Sequence, residues 1–360
     1  MSRAARAVER LWDGSGIAVE LGRLLLAPAA GVYGVGVGLR NAAYAVGVLR
    51  SRTATVRTVS VGNLRVGGTG KTPLTRWLAE QARDRGVAAA IVSRGHGGSE
   101  RTPHVVGDAC HVTSDVARSG DEAVMLARTS GVPVVAGRDR AAAAILAVET
   151  FGSRLLLCDD AFQHRALRRD LDLVLVDGAE RGGLRRLLPV GPLREPLRAL
   201  KRAGIVLVSR RDGVSDPGPA PASSARWLQV RFTPRALVQP AADGWEEIGL
   251  AALAGQRVLA VSGVARPAPI YQTLRDWDAE LVHVLEYPDH HAYDARAWHD
   301  IAAAGKGVDL IVTTEKDLVK LEAFPFARGK LVALRLGIEV DEAEALVAAV
   351  IGDAATVAVA

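Results

Sequence analysis

Residues 61–80, VGNLRVGGTGKTPLTRWLAE, decide how the rest of the chain is read. An apolar stretch, Thr55–Val61, has the β-branched character of a strand. A glycine-rich loop follows, and then a run with helical periodicity from Lys71 to Arg85. Strand, glycine loop, Lys-Thr and helix in this order make a phosphate-binding loop. Its glycines let backbone N–H groups turn toward phosphate oxygens, and the helix N-terminus adds positive potential. The expected nucleotide contacts are Gly67, Gly68, Thr69, Gly70, Lys71 and Thr72. Lys71 reaches the β- and γ-phosphates, and Thr72 offers its hydroxyl to Mg²⁺. One departure stands out: the strict pattern places glycine where this chain has Arg65.

Downstream, short apolar strands alternate with helical segments. Val87–Ser93, Val132–Ala136, Arg154–Cys158, Leu171–Val176 and Ile205–Ser209 read as strands. Asp121–Arg128 and Arg138–Thr150 read as helices. That alternation predicts an α/β fold with a parallel sheet covered on both faces. The stretch Asp212–Ser224 reads as a linker, and Arg226–Val238 as an exposed strand or ribbon. A second, smaller α/β unit starts near Gln256, with strands at Val258–Val261, Leu281–Leu285, Leu310–Thr313 and Leu331–Leu336. The helix Glu342–Ile351 closes it. The expected organisation is a terminal segment over 1–50, a nucleotide-binding domain over 51–212, a linker and ribbon over 213–255, and the second unit over 256–360.

The bulk composition narrows the partners only a little. The chain has 360 residues and a formal net charge of +5. That excess suits an anionic substrate, an anionic membrane surface or nucleic acid, and does not choose between them. No aromatic-basic interleaving supports nucleic acid. Two cysteines, Cys110 and Cys158, form no disulfide framework or metal spacing. Lysine is scarce, at six positions, so Lys71 and Lys316 stand out among the arginines. Residues 24–39, LLLAPAAGVYGVGVGL, carry no charge but are shorter than the roughly 20 residues a spanning helix needs. A helix lying at a membrane interface and an apolar hairpin packed on the domain both fit this run.

Several further blocks resemble one family. With the phosphate loop, DDAFQHRALRRDLDLVLVD (159–177) and LLPVGPLREPLRAL (187–200) look like tetraacyldisaccharide 4′-kinase. So do SRGHGG (93–98), SGDEAVMLA (119–127), SGVARP (262–267), YPDHHAY (287–293) and TTEKDLVKL (313–321). The blocks span most of the chain in the family's order. The resemblance implies transfer of the ATP γ-phosphate to the 4′-hydroxyl of a tetraacyldisaccharide 1-phosphate, giving lipid IVA. It implies ATP and Mg²⁺ as cofactors, a lipid acceptor, and work at the cytoplasmic face of the bacterial inner membrane. No obligate protein partner is inferred. The implied fold is a P-loop domain and a second α/β domain joined by a two-stranded ribbon.

Carried over residue by residue, Asp121 matches the catalytic aspartate, which would take the acceptor proton. Asp121 also suits a helix first-turn acid. His290 matches a histidine that pairs with that aspartate, although the adjacent His291 fits the same block. Asp159 and Asp160 would serve Mg²⁺ with Thr72; a solvated turn is their other reading. Glu195, in GPLREP, is a weaker candidate for metal contact during closure, with a surface ion pair to Arg194 or Arg198 as its alternative. Gln163 and His164 would line the cleft, and Arg94, Arg138, Arg165 and Arg194 could meet substrate phosphate. The chain departs from the family pattern at Ala161, at His96 and in Val264-Ala265-Arg266. A nucleotide-dependent switch or metallochaperone GTPase would carry a guanine-binding motif, and Thr314-Glu315-Lys316-Asp317 has the wrong spacing for one. A cytosolic small-molecule kinase or ATP-dependent ligase would not need the apolar N-terminus.

Overall fold

A computed structural model describes residues 3–178, 186–210, 225–241, 244–324 and 329–355. In chain order the helices are α1 (Arg3–Asp13), α2 (Ile17–Ala45), α3 (Lys71–Asp84), α4 (Val116–Ser119), α5 (Asp121–Thr129), α6 (Arg140–Phe151), α7 (Ala268–Asp276), α8 (Ala295–Ala304), α9 (Glu315–Leu321) and α10 (Ala343–Ile351). The strands are β1 (Arg57–Asn63), β2 (Ala89–Ser93), β3 (His104–Gly107), β4 (Val134–Ala136), β5 (Leu155–Asp159), β6 (Leu171–Asp177), β7 (Ile205–Arg210), β8 (Arg226–Ala241), β9 (Gly244–Ile248), β10 (Arg257–Ser262), β11 (Glu280–Glu286), β12 (Leu310–Thr314) and β13 (Leu331–Val340).

The strands form one sheet in the order β11-β10-β12-β13-β8-β7-β6-β1-β5-β2-β4-β3, with β9 on β8. Six strands, β7-β6-β1-β5-β2-β4, run parallel, and β3 closes that edge antiparallel. Their cores are nearly continuous Val, Ile and Leu because helices cover both faces. On one face α3, α5 and α10 pack over Val59, Val61, Leu155 and Leu157. On the other, α6 presents Ala141, Ala143, Ala144 and Ala147 to Ala90, Val92 and Leu156. Small side chains let that helix approach the strands closely. The second unit, β11-β10-β12-β13, is also parallel and has its own apolar clusters, around Leu259 and Ile311 on one face and Leu274 and Val312 on the other.

Strand β8 joins the two units. Its start pairs parallel with β7, and residues 230–238 pair antiparallel with β13. The ribbon foreseen at Arg226–Val238 is therefore half of an antiparallel pair that runs through both units, so the sheet is continuous. The linker expected at Asp212–Ser224 lies outside the described residues.

Two expectations need correction. The helix at Glu342–Ile351 was assigned to the second unit, but α10 buries Leu346, Val347, Val350 and Ile351 in the first unit's core. Arg57 of β1 donates to its last carbonyls, Val350 O at 2.8 Å and Ala349 O at 2.6 Å, and so caps its C-terminus. The antiparallel return of β13 delivers the chain there.

The apolar N-terminal run is also longer than its uncharged stretch suggested. It belongs to one helix, Ile17–Ala45, of 29 residues, long and apolar enough to cross a membrane by length and composition. Leu24, Leu25, Val32, Val35 and Leu39 stand exposed on it, so it is not packed on the domain along most of its length. Arg23, a charge before the run, is not solvated. Its guanidinium donates to Leu11 O, Trp12 O and Gly14 O, fastening the end of α1 to α2. Near the other end, Tyr33 donates to Arg194 O and Arg40 pairs with Glu195, anchoring the helix beside the nucleotide domain.

Candidate active site

The phosphate loop runs from the end of β1 to the start of α3. Gly70 is the N-cap of α3 in the left-handed region, at φ 88°, and no side chain caps the helix. The first N–H groups of α3 are therefore left for an anion. A Cβ at Gly70 would also fall 2.2 Å from the Phe232 ring on β8, so glycine is required twice over. Within the loop, Asn63 Nδ2 donates to Thr69 Oγ1 at 2.9 Å and holds the turn.

Strand β5 lies beside β1, with Val61 opposite Asp159, which brings the two aspartates to the loop. Asp159 is buried and accepts from Thr72 Oγ1 at 3.1 Å and Thr75 Oγ1 at 3.0 Å. Burial, with the neighbouring charges of Glu122 and Asp160, pushes its carboxyl up to about 6. Asp160 adopts φ 46°. Arg194 Nη1 donates to both its oxygens at 2.9 Å, and Lys71 Nζ stands 3.6 Å away. Burial opposes ionisation of Asp160, but Lys71 and Arg194 hold its carboxyl below the ordinary range.

All donors at this corner are oxygens, which suits a hard cation such as Mg²⁺. A divalent ion would offset the field that now pushes Asp159 upward, so Thr72 and Asp159 fit it. Asp160 is engaged by two cations and would have to exchange one of them.

Glu195 has its oxygens engaged elsewhere in this arrangement, and the surface ion pair with Arg194 or Arg198 is replaced by a buried one. It is fully buried, and its oxygens accept from Arg40 at 2.9 Å, Asn41 at 3.1 Å and Arg202 at 2.8 Å. Neither Arg194 nor Arg198 is its partner in these pairs. It anchors α2 to the segment after β6, because a buried carboxylate needs every oxygen matched.

Across the cleft, α5 begins with Asp121. The residue before it, Gly120, has φ 82°, and a Cβ there would lie 2.0 Å from His96 O. The loop after β2 can thus lie directly against the start of α5. Asp121 is 4% exposed, and its oxygens meet His290 Nδ1 at 3.0 and 3.1 Å. His290 adopts φ 60° and Tyr293 φ 49°, in the loop between β11 and α8. Together with Asp160 they give the cleft three side-chain-bearing residues in the left-handed region, the kind of local strain found at functional sites. His291 turns elsewhere, stacking on Tyr287 with ring centroids 4.7 Å apart. The structure thus pairs His290, not His291, with Asp121.

Two lysines of α9 complete the cluster. Lys320 Nζ lies 3.1 Å from Asp121 Oδ2. Lys316 Nζ lies 3.1 Å from His290 Nε2 and 2.7 Å from Asp289, with Glu122 at 3.6 Å. Burial alone would raise the Asp121 carboxyl, but the His290 hydrogen bond and the Lys316 and Lys320 charges hold it well below the carboxylate range. The same hydrogen bond raises His290, while burial and Lys316 oppose the rise. Once the ring loses a proton at higher pH, the Lys316 ammonium at Nε2 favours the neutral tautomer with the remaining proton on Nδ1, directed at Asp121.

Helix α9 is held in turn. Thr314 caps it by accepting from Asp317 N at 3.0 Å. Glu315 accepts from Arg76 of α3 at 2.6 Å and from Arg335 of β13 at 2.7 Å. A buried ion pair therefore links the helix behind the phosphate loop to the helix carrying both lysines.

Of the other expected residues, Gln163 donates to Asn63 O at 2.7 Å and braces the phosphate loop. His164 has its imidazole lowered to about 4 by burial, with Arg140 and Arg169 adding to the effect, and is neutral at pH 7. Arg165 donates to Asn41 O at 2.8 Å and lies over the Tyr44 ring, serving α2. Arg94 and Arg138 are exposed at the ends of β2 and β4. Sequence reasoning missed Lys320. The signal was available: Lys316 and Lys320 are four apart and face one way on a helix, in a chain with six lysines.

Comparisons with known proteins place nearly the whole chain in one family. A family model described as tetraacyldisaccharide-1-P 4′-kinase matches residues 22–353. The tetraacyldisaccharide 4′-kinase of Anaeromyxobacter sp. (strain Fw109-5) is 41% identical over 351 residues, 94% of this chain and 93% of that one. The enzyme of the same name from Syntrophus aciditrophicus is 39% identical over 348 residues, 92% of each chain. A crystal structure of "apo" form LpxK from Aquifex aeolicus in complex with ATP aligns with a TM-score of 0.78 and 28% identity, covering 92% of this chain and 99% of that one.

Proposed function

The chain belongs to the tetraacyldisaccharide-1-P 4′-kinase family, and from that premise we propose the roles its residues play in moving the ATP γ-phosphate to the 4′-hydroxyl of the lipid A precursor. The observation that carries the reading is the placement of Asp121. It is a buried carboxylate, bonded to His290 from the other unit, in the same cleft as an uncapped phosphate loop.

The loop Gly67–Thr72 and the α3 N-terminus cradle the triphosphate, and Lys71 neutralises its β- and γ-oxygens. Thr72 and Asp159 would hold Mg²⁺, and Asp160, now paired with Arg194 and Lys71, would stand beside it. The bound ion would supply charge neutralisation on the β- and γ-phosphates. Asp121 accepts a hydrogen bond from the acceptor hydroxyl and takes its proton as the bond to phosphorus forms. Because the transition state is loose, that proton leaves late, and a carboxylate held anionic suffices. His290 fixes the carboxylate's orientation. His290 and both lysines come from the second unit, so relative motion of the units would control assembly of the site.

The exposed apolar face of α2 supports a location at the membrane surface, where the lipid acceptor resides. Its Leu24, Leu25, Val32 and Leu39 would enter the interface while Arg40 stays with Glu195. Replacing Leu25 by Glu should weaken binding to phospholipid vesicles about tenfold or more, since burying one such side chain contributes about 2 kcal/mol. Unchanged vesicle sedimentation would remove α2 from the membrane contact.

The kinetic test separates the two halves of the site. Lys71→Ala should weaken both ATP binding and turnover. Asp121→Ala should lower kcat strongly with ATP affinity nearly unchanged. Loss of ATP affinity with surviving turnover in Asp121→Ala would contradict its role.

A further inference from the structure

Asp121 is held by more than its histidine. Lys320 Nζ sits between Asp121 Oδ2 at 3.1 Å and Asp317 Oδ1 at 3.3 Å, with 7% of its side chain exposed. It also lies 5.3 Å from the centre of the Tyr293 ring. Asp317 is fully buried, and its other oxygen accepts from Gly263 N and from Thr314 Oγ1, both at 2.8 Å. The lysine is therefore fixed from its own side of the cleft, by an anion anchored to the second unit, and reaches across to the first. A surface lysine would pay the entropy of ordering a long side chain for little return. Here burial and two carboxylates make the position definite.

We propose that Lys320 is a positioning residue for phosphoryl transfer, which holds Asp121 ionised and orients its carboxylate through a charge-assisted hydrogen bond. This inference rests on the reading of Asp121 as the group that meets the acceptor hydroxyl. The groups facing Asp121 are His290 and Tyr293 from the loop after β11, Lys316 and Lys320 from α9, His96 from the loop after β2, and Glu122 on its own helix. Of these, Lys316 is shared among His290, Asp289 and Glu122. Lys320 is the lysine in direct hydrogen-bond contact with Asp121. Removing it leaves burial opposed by the His290 hydrogen bond and the Lys316 charge alone, so the carboxyl must rise.

The test is the pH profile of kcat for Lys320→Met, Lys320→Gln and Lys320→Arg, measured with saturating ATP and dispersed lipid acceptor beside wild type and Asp121→Asn. Met and Gln should lower kcat more at about pH 4 than at about pH 7, moving upward by about one unit or more an acidic limb that lies below the ordinary carboxylate range in wild type. Arg should restore most of the wild-type profile, and the KM for ATP should stay within about twofold in every variant. Gln keeps a donor without a charge, so it remains informative if Met fails to fold. A loss of equal size at all pH values, or no loss in Gln, would overturn the proposal and leave Lys320 a packing residue. Wild-type activity in Asp121→Asn would overturn the reading beneath it instead, and the two failures are distinguishable in one data set.

Discussion

Asp121 and Asp159 are both buried aspartates at the mouth of the same sheet, one at the start of α5 and one at the end of β5, yet their surroundings drive them in opposite directions. Asp121 meets a histidine and two lysines that arrive from the second unit, and it stays an anion. Asp159 meets hydroxyls and two like charges, and its carboxyl is pushed up to about 6. The first environment supplies its own cations. The second has Lys71 nearby, whose charge does not overcome burial and the two like charges, and a further cation would come with the nucleotide. Burial is common to both, so burial alone does not say what a carboxylate is for; the sign of its neighbours does.

The comparison can be broken most easily by kinetics. Asp121→Asn should reduce kcat by on the order of 10²–10⁴-fold, with the Mg²⁺ dependence unchanged. Asp159→Asn should instead demand on the order of tenfold more Mg²⁺ for half-maximal rate. If both variants shift the Mg²⁺ requirement alike, the two carboxylates do not have separate jobs.

Stability against pH sharpens the same contrast, because the signs are opposite. Asp121 has a depressed value, so it contributes stability above the ordinary 3.8, lost as pH falls through its lower folded value. Asp159 has a raised value, so without metal the folded state loses stability as pH rises from 3.8 to about 6. Thermal melts in chelator at pH 7 should therefore show Asp121→Asn destabilised and Asp159→Asn stabilised, the latter by on the order of 1–3 kcal/mol. Added Mg²⁺ should reverse the second advantage. Asp159→Asn melting below wild type in chelator would show that its hydroxyl partners, and not its charge, dominate.

The smallest effect belongs to His290. Its value is raised by Asp121, so the stability it adds is fully present below its ordinary 6.5 and is lost as pH rises through the raised value. The gap in melting temperature between wild type and His290→Gln should be widest near pH 6 and shrink toward pH 9. A gap that widens with pH would mean that the imidazole is bound neutral.

What the sequence disclosed follows the range of the interactions concerned. The phosphate loop was legible because its strand, glycines and helix are contiguous. So were most strands, each a short apolar run. His290 could be named only with His291 beside it, since the choice is made by a left-handed turn that aims one ring at Asp121 and stacks the other on Tyr287. The partners of Glu195 were hidden because Arg40 and Asn41 lie about 150 residues earlier. The helix Ile17–Ala45 was hidden by Arg23 and Pro28, which look like interruptions. In the fold Arg23 secures the end of α1, and the helix continues through Pro28. The destination of α10 was invisible for a topological reason: β13 runs back along β8, and no local signal marks that return.

The most direct measurement is product analysis with the purified chain, Mg²⁺-ATP labelled at the γ-phosphate, and tetraacyldisaccharide 1-phosphate dispersed in detergent. The account predicts a labelled lipid bearing a second phosphate at the 4′-position, formed by wild type and lost in Asp121→Ala while that variant still binds ATP. Release of labelled inorganic phosphate with no labelled lipid, or labelled lipid at wild-type rate from Asp121→Ala, would contradict it.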